Sequence, residues 1–243
     1  MDRLIYLAMT GAEATMRRQE VLAHNLANAS TTGFRAELAA FRAVPVEGDG
    51  ASTRVFVLES TVGYDAQPGV MQSTGRPLDV SMQGNAWLTV QALDGTEAYT
   101  RAGALEVNAD GMLVTPTGLP VLGEGGPITA PANASVTIAP NGSVNAVVGN
   151  LPPQIVGRIK LVTPDAPLQR GTDGLFRAAQ GELDADPAAR LQDGALEGSN
   201  VSAVETMVGM IAAARQFEQQ MKMLKGAEER DQAAARLLGL AGG

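Results

Sequence analysis

Residues 202–224 read SAVETMVGMIAAARQFEQQMKML, and their spacing decides how the chain is organised. Val204, Met207, Ile211, Ala214, Phe217, Met221 and Leu224 recur at threes and fours. That rhythm draws one apolar stripe down a helix, with a period of about 3.5. Ser202, followed three residues later by Glu205, is a capping box that opens the helix. The stripe weakens through Ala235 and Leu238, so the spacing predicts a helix over 202–238. Such a helix would be roughly 55 Å long.

The other end of the chain repeats the pattern. Ile5, Met9, Ala12, Met16, Ala23 and Leu26 form a stripe with Gln19 as its polar member. Thr10, Glu13, Arg17, Glu20 and His24 keep the same rhythm on another face. Glu13 and Arg17 are four apart and can pair along the helix. The predicted helix covers 3–28 and stops in the cap and turn residues between Asn28 and Gly33.

Between these helices the period falls to two. Short β-type runs occur at 87–90, 98–101, 105–108, 112–115, 136–139, 144–148, 155–162 and 175–178. Asp94-Gly95, Asp110-Gly111, Thr117-Gly118 and Asn141-Gly142 are turn signals between such runs. Residues 45–53, with Pro45, Gly48, Gly50 and Ser52, read as a linker. The fold class is therefore α+β. Its terminal helices pair as a coiled-coil-like bundle, and a mainly antiparallel β domain lies between them in sequence. The domain division is 1–35, an N-terminal helix; 36–80, a linker and extended segment; 81–196, the β domain; and 197–243, a C-terminal helix.

Each stripe needs a cover. The two stripes can pair with each other, because their periods match. The predicted helices differ in length, however, which leaves part of the C-terminal stripe bare. A helix pair at two chain ends is also marginal in water. The second reading is that neighbouring subunits bury the stripes and supply the missing free energy. Met9, Met16, Met207, Met210, Met221 and Met223 suit either reading, as core filling or as an adaptable contact surface.

Composition narrows the function classes. The net charge is −8, so the basic face that a nucleic-acid partner needs is missing. There are 0 cysteines, which excludes disulfides, thiol catalysis and Cys-based metal sites. No run of about 18 apolar residues could span a membrane. The opening Met1-Asp2-Arg3 and short apolar run do not resemble a cleavable signal peptide.

A search for chemistry yields no catalytic, cofactor-binding or metal site. His24 is the 1 histidine and lacks a second ligand or an acid–base partner. Gly123, Gly125 and Gly126 lack the Lys-Ser/Thr of a phosphate loop and read as a turn before Pro127. The pairs Asp184/Asp186 and Asp165/Asp173 read as solvated loop residues. No G-x-S-x-G elbow occurs. Trp87 reads as a core residue of a strand.

Several stretches resemble a known family. His24-Asn25-Leu26-Ala27-Asn28-Ala29-Ser30-Thr31-Thr32-Gly33-Phe34-Arg35 is similar to the N-terminal signature of flagellar rod and hook proteins. Leu196-Glu197-Gly198-Ser199-Asn200-Val201, followed by Glu205, Met207, Val208 and Ile211, resembles their C-terminal signature. Thr74 to Val80, Gly84, Trp87, Tyr99 to Gly103 and Asn108 to Gly111 are similar to their hook-like β domain. The resemblance covers nearly the whole chain. Within the family, Met1 to Tyr6, Ala8 to Ala12 and Gly157 to Val162 look most like a proximal rod subunit, with a distal one as the alternative.

The resemblance implies a structural subunit of the basal-body rod, a hollow drive shaft crossing the periplasm, and no enzyme. It implies export by the flagellar type III apparatus, and as partners copies of the chain and other proximal and distal rod proteins. No cofactor, small-molecule substrate or membrane span is implied. The candidate assembly residues are Ile5, Met9, Met16 and Leu26 on the first stripe and Val204, Met207, Ile211, Phe217, Met221 and Leu224 on the second. Asn25, Asn28, Gly33, Phe34 and Asn200 join them from the two signatures. Two other classes remain at this point: an enzyme acting on the cell wall, which would need an acid–base pair or nucleophile, and a monomeric scaffold with a helical stalk.

Overall fold

The computed structural model describes residues 2–45 and 55–240. It is an α+β structure with two long helices and a mainly antiparallel β-rich middle. Helix α1 runs Asp2–Ala27 and helix α2 runs Ala203–Leu240. Beyond Pro45, the linker predicted for 45–53 lies outside the described residues.

The chain divides into two compact units. The first comprises α1, residues Glu37–Val62 and the segment from Val201 onward. The start of α2 follows from its capping residue. Ser202 Oγ accepts from the Glu205 backbone N–H at 3.4 Å, and Thr206 N–H donates to the Ser202 carbonyl at 3.0 Å. The first bond satisfies one of the orphan donors at the helix start, and the second opens the helix ladder. The helices pack against each other and run antiparallel. Gly11 faces the Gln220 side chain, and eleven residues further along α1 Leu22 faces Gly209, eleven residues earlier on α2. Strands Glu37–Pro45 and Val55–Tyr64 form a two-stranded sheet.

The second unit comprises Asn28–Ala36 and Gly63–Asn200. Its largest sheet has five strands in the order Leu161–Val162, Trp87–Gln91, Glu97–Thr100, Phe176–Arg177 and Gln169–Arg170. A three-stranded sheet holds Ala134–Ile138, Ser143–Val148 and Gln154–Arg158. Val80, Leu88, Val90, Leu105, Val121, Val144 and Leu191 are fully buried in the main core. Trp87, Tyr99, Val162, Leu168 and Phe176 make a second cluster. Tyr64 meets Trp87 and Phe176 edge-on, with ring centroids 5.8 and 4.8 Å away. The predicted turns are present, and Gly95, Gly111, Gly118 and Gly142 all take positive φ, where a side chain would be strained.

The structure departs from the sequence reading in two places. The run expected over 155–162 is two strands in two sheets. Ile159 and Lys160 carry the chain across, donating to the carbonyls of Gly142 and Leu122. In addition, Met71–Ser73 pairs with Ala195–Glu197, and Val80–Met82 pairs with Leu191–Asp193. These three-residue strands are too short to show a period.

Candidate assembly surface

Two features collect the residues singled out by the sequence: one face of the helix pair, and a clasp in the second unit.

The helix pair is closed by part of the predicted stripe together with residues beside it. On α1 the row toward the partner is Ile5, Ala8, Ala12, Thr15, Gln19 and Leu22, all buried or half-buried. On α2 it is Thr206, Met210, Ala213, Phe217, Gln220 and Leu224. Both rows step by threes and fours and mix small or polar residues with the larger Ile5, Leu22, Met210, Phe217 and Leu224. Glycines make room for larger side chains across the pair: Gln220 packs over Gly11, and Leu22 over Gly209. Six apolar residues of the predicted stripe stay outside that contact. Met9 and Met16 are exposed, Met16 by 52%. Val204, Met207, Val208, Ile211 and Met221 are exposed as well, Val204 by 70% and Ile211 by 56%. Val204, Met207, Val208 and Ile211 are spaced at i, i+3, i+4 and i+7 and so adjoin on one face of α2; contiguous exposed apolar patches mark interaction sites.

Of the predicted stripe, Ile5, Leu26, Phe217 and Leu224 are half-buried, whereas Met9, Met16, Val204, Met207, Ile211 and Met221 are exposed. Ile5, Phe217, Met221 and Leu224 line a groove of about 830 Å³ on the helix pair, rimmed by Glu218, Lys222, Lys225 and Glu228.

The signature residues make intramolecular bonds. Asn25 is buried, donates to the Glu37 carbonyl at 3.0 Å and accepts from the Glu37 N–H at 2.8 Å. Beside it, His24 Nδ1 lies 3.0 Å from a Glu37 carboxylate oxygen. Asn28 accepts from Thr31, with its carbonyl taking the backbone N–H at 3.1 Å and its side chain taking the hydroxyl at 3.2 Å. Gly33 has φ 69°, and an added Cβ would lie 2.2 Å from the Arg101 carbonyl carbon. Phe34 is buried, with the Arg170 guanidinium 4.4 Å from its ring centre. Asn200 accepts from Ala36 N–H at 2.7 Å and donates to the carbonyls of Asp65 and Gln67 at 3.1 and 2.9 Å.

Three charged residues meet inside this second unit. Glu197 is 1% exposed, and its Oε1 lies 2.6 Å from Arg35 Nη2. Its Oε2 takes Arg101 Nη2 at 2.6 Å and Arg101 Nε at 2.8 Å. The Gly69 N–H adds a third donor at 3.1 Å. Arg101 also donates to the carbonyls of Met82, Gly84 and Ala86, and Arg35 to that of Gln67. Burial pulls the Arg101 guanidinium below its usual range, and Glu197 works against that pull. Sequence reasoning quoted these residues inside motifs without a role for them. The only signal was their place: one in each terminal signature and one in the Tyr99-Thr100-Arg101 run.

No group of three or more His, Cys, Asp or Glu side chains that could hold a metal ion occurs among the described residues. No described helix is long and apolar enough to cross a membrane. Burial also pushes the Tyr99 phenol well above its usual range, so it stays a neutral donor, bonded to Glu97 at 2.8 Å.

This architecture, with terminal helices bearing an outward apolar row and a clasp joining two distant signatures, is that of a structural assembly subunit. Three family models match the chain. "Flagella basal body rod protein" covers 5–35, "Flagellar hook protein FlgE/F/G D1 domain" covers 81–146, and "Flagellar basal body rod FlgEFG protein C-terminal" covers 192–237. The chain is 50% identical to flagellar basal-body rod protein FlgF of Salmonella typhimurium, over 99% of its own length and 100% of the relative's. It is 49% identical to FlgF of Escherichia coli over the same shares. A flagellar basal-body rod protein FlgG, from Agrobacterium fabrum, matches at 32% over 93% of this chain and 96% of its own. The chain belongs to the flagellar basal-body rod protein family, as a FlgF-like structural member and not an enzyme.

Proposed function

We propose that the chain is a subunit of the proximal flagellar rod and joins its neighbours through the outward apolar face of the α1–α2 pair. The observation that carries this reading is the apolar side chains left over once the pair has closed: Met9, Met16, Val204, Met207 and Ile211 stay in water. Burying about five such side chains supplies several kcal/mol that the monomer forgoes.

In this reading the pair is coiled-coil-like and belongs to the core of a hollow, torque-transmitting shaft. Residues 1–35 and 197–243 form the rod-building part, 36–80 the connection and 81–196 a hook-like domain. The partners are copies of the chain and other rod proteins, and the site of assembly is the periplasm, reached through the flagellar type III export apparatus. Family membership supports these assignments. The higher identity to FlgF than to the FlgG relative supports the proximal position over the distal one.

The test is the triple variant Met16→Gln, Met207→Gln, Ile211→Gln, expressed in place of the natural chain. Its monomer melts within about 0.5 kcal/mol of the parent, because the altered side chains are exposed. Its content in purified basal bodies and the swimming of the cells fall sharply. Normal incorporation of a soluble, folded triple variant sinks the reading.

A further inference from the structure

We propose that the Arg35–Glu197–Arg101 clasp is the folding latch of the second unit: its closure limits the rate at which the unit folds, and it cannot close before residue 197 of 243 has been made. The latch is a property of the fold alone. That it hands an unfolded chain to an export apparatus rests on the rod-subunit reading.

Charge bars an earlier route. Arg35 and Arg101 are 3% and 2% exposed. Without the Glu197 carboxylate both would enter the core unpaired, and burying an unpaired cation is strongly unfavourable. Arg35 cannot stay in water while its own segment docks. The Gly33 N–H donates to the Glu197 carbonyl at 2.7 Å, and the Asn200 N–H to the Phe34 carbonyl at 3.3 Å. Gly33 also lies so close to the Arg101 backbone that no Cβ fits there. Residues 33–35, 101 and 197–200 therefore interlock as one piece.

Chain topology makes that piece slow to form. Trp87–Gln91 with Glu97–Thr100, and Ala134–Ile138 with Ser143–Val148, are hairpins that close short loops. The clasp closes far longer ones: Gly69 to Glu197 spans 128 positions, and Ala36 to Asn200 spans 164. The strand pairs beside it, Met71–Ser73 with Ala195–Glu197 and Val80–Met82 with Leu191–Asp193, are three residues long and offer few bonds. Loop-closure entropy opposes such pairing until the contacts are complete, and non-local pairing is slow for that reason.

The chain has 0 cysteines and 1 tryptophan, Trp87, which is buried with the Arg101 guanidinium 5.9 Å from its ring centre. Trp87 fluorescence therefore follows this unit within the full chain. Ser73 and Ala195 face each other across their strands. The bonds from Gly198 N–H to the Val70 carbonyl and from Thr74 N–H to the Gly194 carbonyl make theirs a non-hydrogen-bonded pair, whose close spacing suits a disulfide. Ser73→Cys with Ala195→Cys is oxidised while folded, unfolded in urea with the link intact, and refolded by dilution. Unfolding pulses short against proline isomerisation keep the X-Pro bonds native. The link is expected to speed refolding by about tenfold or more over the reduced form of the same variant, and to change unfolding by less than about threefold. A smaller gain in refolding, with the link acting on unfolding instead, overturns the latch. Should the reduced variant not fold, Gln72→Cys with Leu196→Cys is compared in the same way. In the otherwise unaltered chain, Glu197→Gln must slow refolding severalfold; faster unfolding at an unchanged refolding rate overturns the latch as well. None of these rates depends on assembly, so absence of the chain from basal bodies would remove the rod-subunit reading and leave the latch in place.

Discussion

Glu197 holds Arg35 at 2.6 Å in a site where both side chains are almost fully buried. Arg35 ends the N-terminal signature and Glu197 sits in the C-terminal one, so this pair ties together sequence motifs from opposite ends of the chain. Arg101 from the middle reaches the second oxygen of the same carboxylate. One anion between two cations is an expensive core, and its value lies in specification. In the unit Asn28–Ala36 with Gly63–Asn200, residue 197 supplies the carboxylate that both buried guanidiniums share.

Removing that carboxylate should therefore cost far more than its size suggests. Glu197→Ala leaves two buried guanidiniums unpaired and is expected to lower stability by about 3–5 kcal/mol. In a unit of this size that corresponds to a fall in Tm on the order of 10 °C. Thermal melts of the purified chain check it, and a shift below about 1 kcal/mol would contradict the clasp.

Asn25 answers a smaller question. Its carboxamide satisfies both backbone groups of Glu37. Asn25→Ala strands both, and a loss of about 1–3 kcal/mol in urea unfolding is expected. Asn25→Asp retains an acceptor for the Glu37 N–H but loses the donor to its carbonyl, so it should fall between parent and Asn25→Ala.

Legibility in the sequence followed length and period. Both helices were readable to within a residue or two, since 3–28 became Asp2–Ala27 and 202–238 became Ala203–Leu240. Long runs repeat their pattern many times. The row that closes the pair was readable in part: Ile5, Ala12, Gln19, Phe217 and Leu224 belong to the predicted stripes, whereas Ala8, Thr15, Thr206 and Ala213 were missed because small or polar side chains add little to a hydropathy pattern. The same pattern also took in Met9, Met16, Val204, Met207, Ile211 and Met221, which face water. Strands such as Met71–Ser73 are too short for any period, and all three of its residues are exposed. The clasp was hidden for another reason: Arg101 and Glu197 are 96 positions apart, and no local rule links them.

Acid stability offers a further check. The Arg177 hydrogen bond holds the Asp173 carboxyl below its ordinary value, and the Thr163 hydroxyl does the same for Asp186. Because the folded values are the lower ones, these carboxylates contribute stability that is complete above the unfolded carboxylate pKa. That contribution is lost as pH falls through the folded values. Melts between about pH 6 and pH 2 should therefore show a shallower acid limb for Asp173→Asn combined with Asp186→Asn than for the parent.

The most direct measurement concerns Ile211, which is 56% exposed in the isolated chain. With Ile211→Cys as the sole cysteine, a maleimide reagent should label the purified monomer rapidly. The same residue in intact basal bodies should be protected, and dissociating them should restore labelling. Equal reactivity of monomer and assembled rod would show that no neighbour covers this face, and the account would fail.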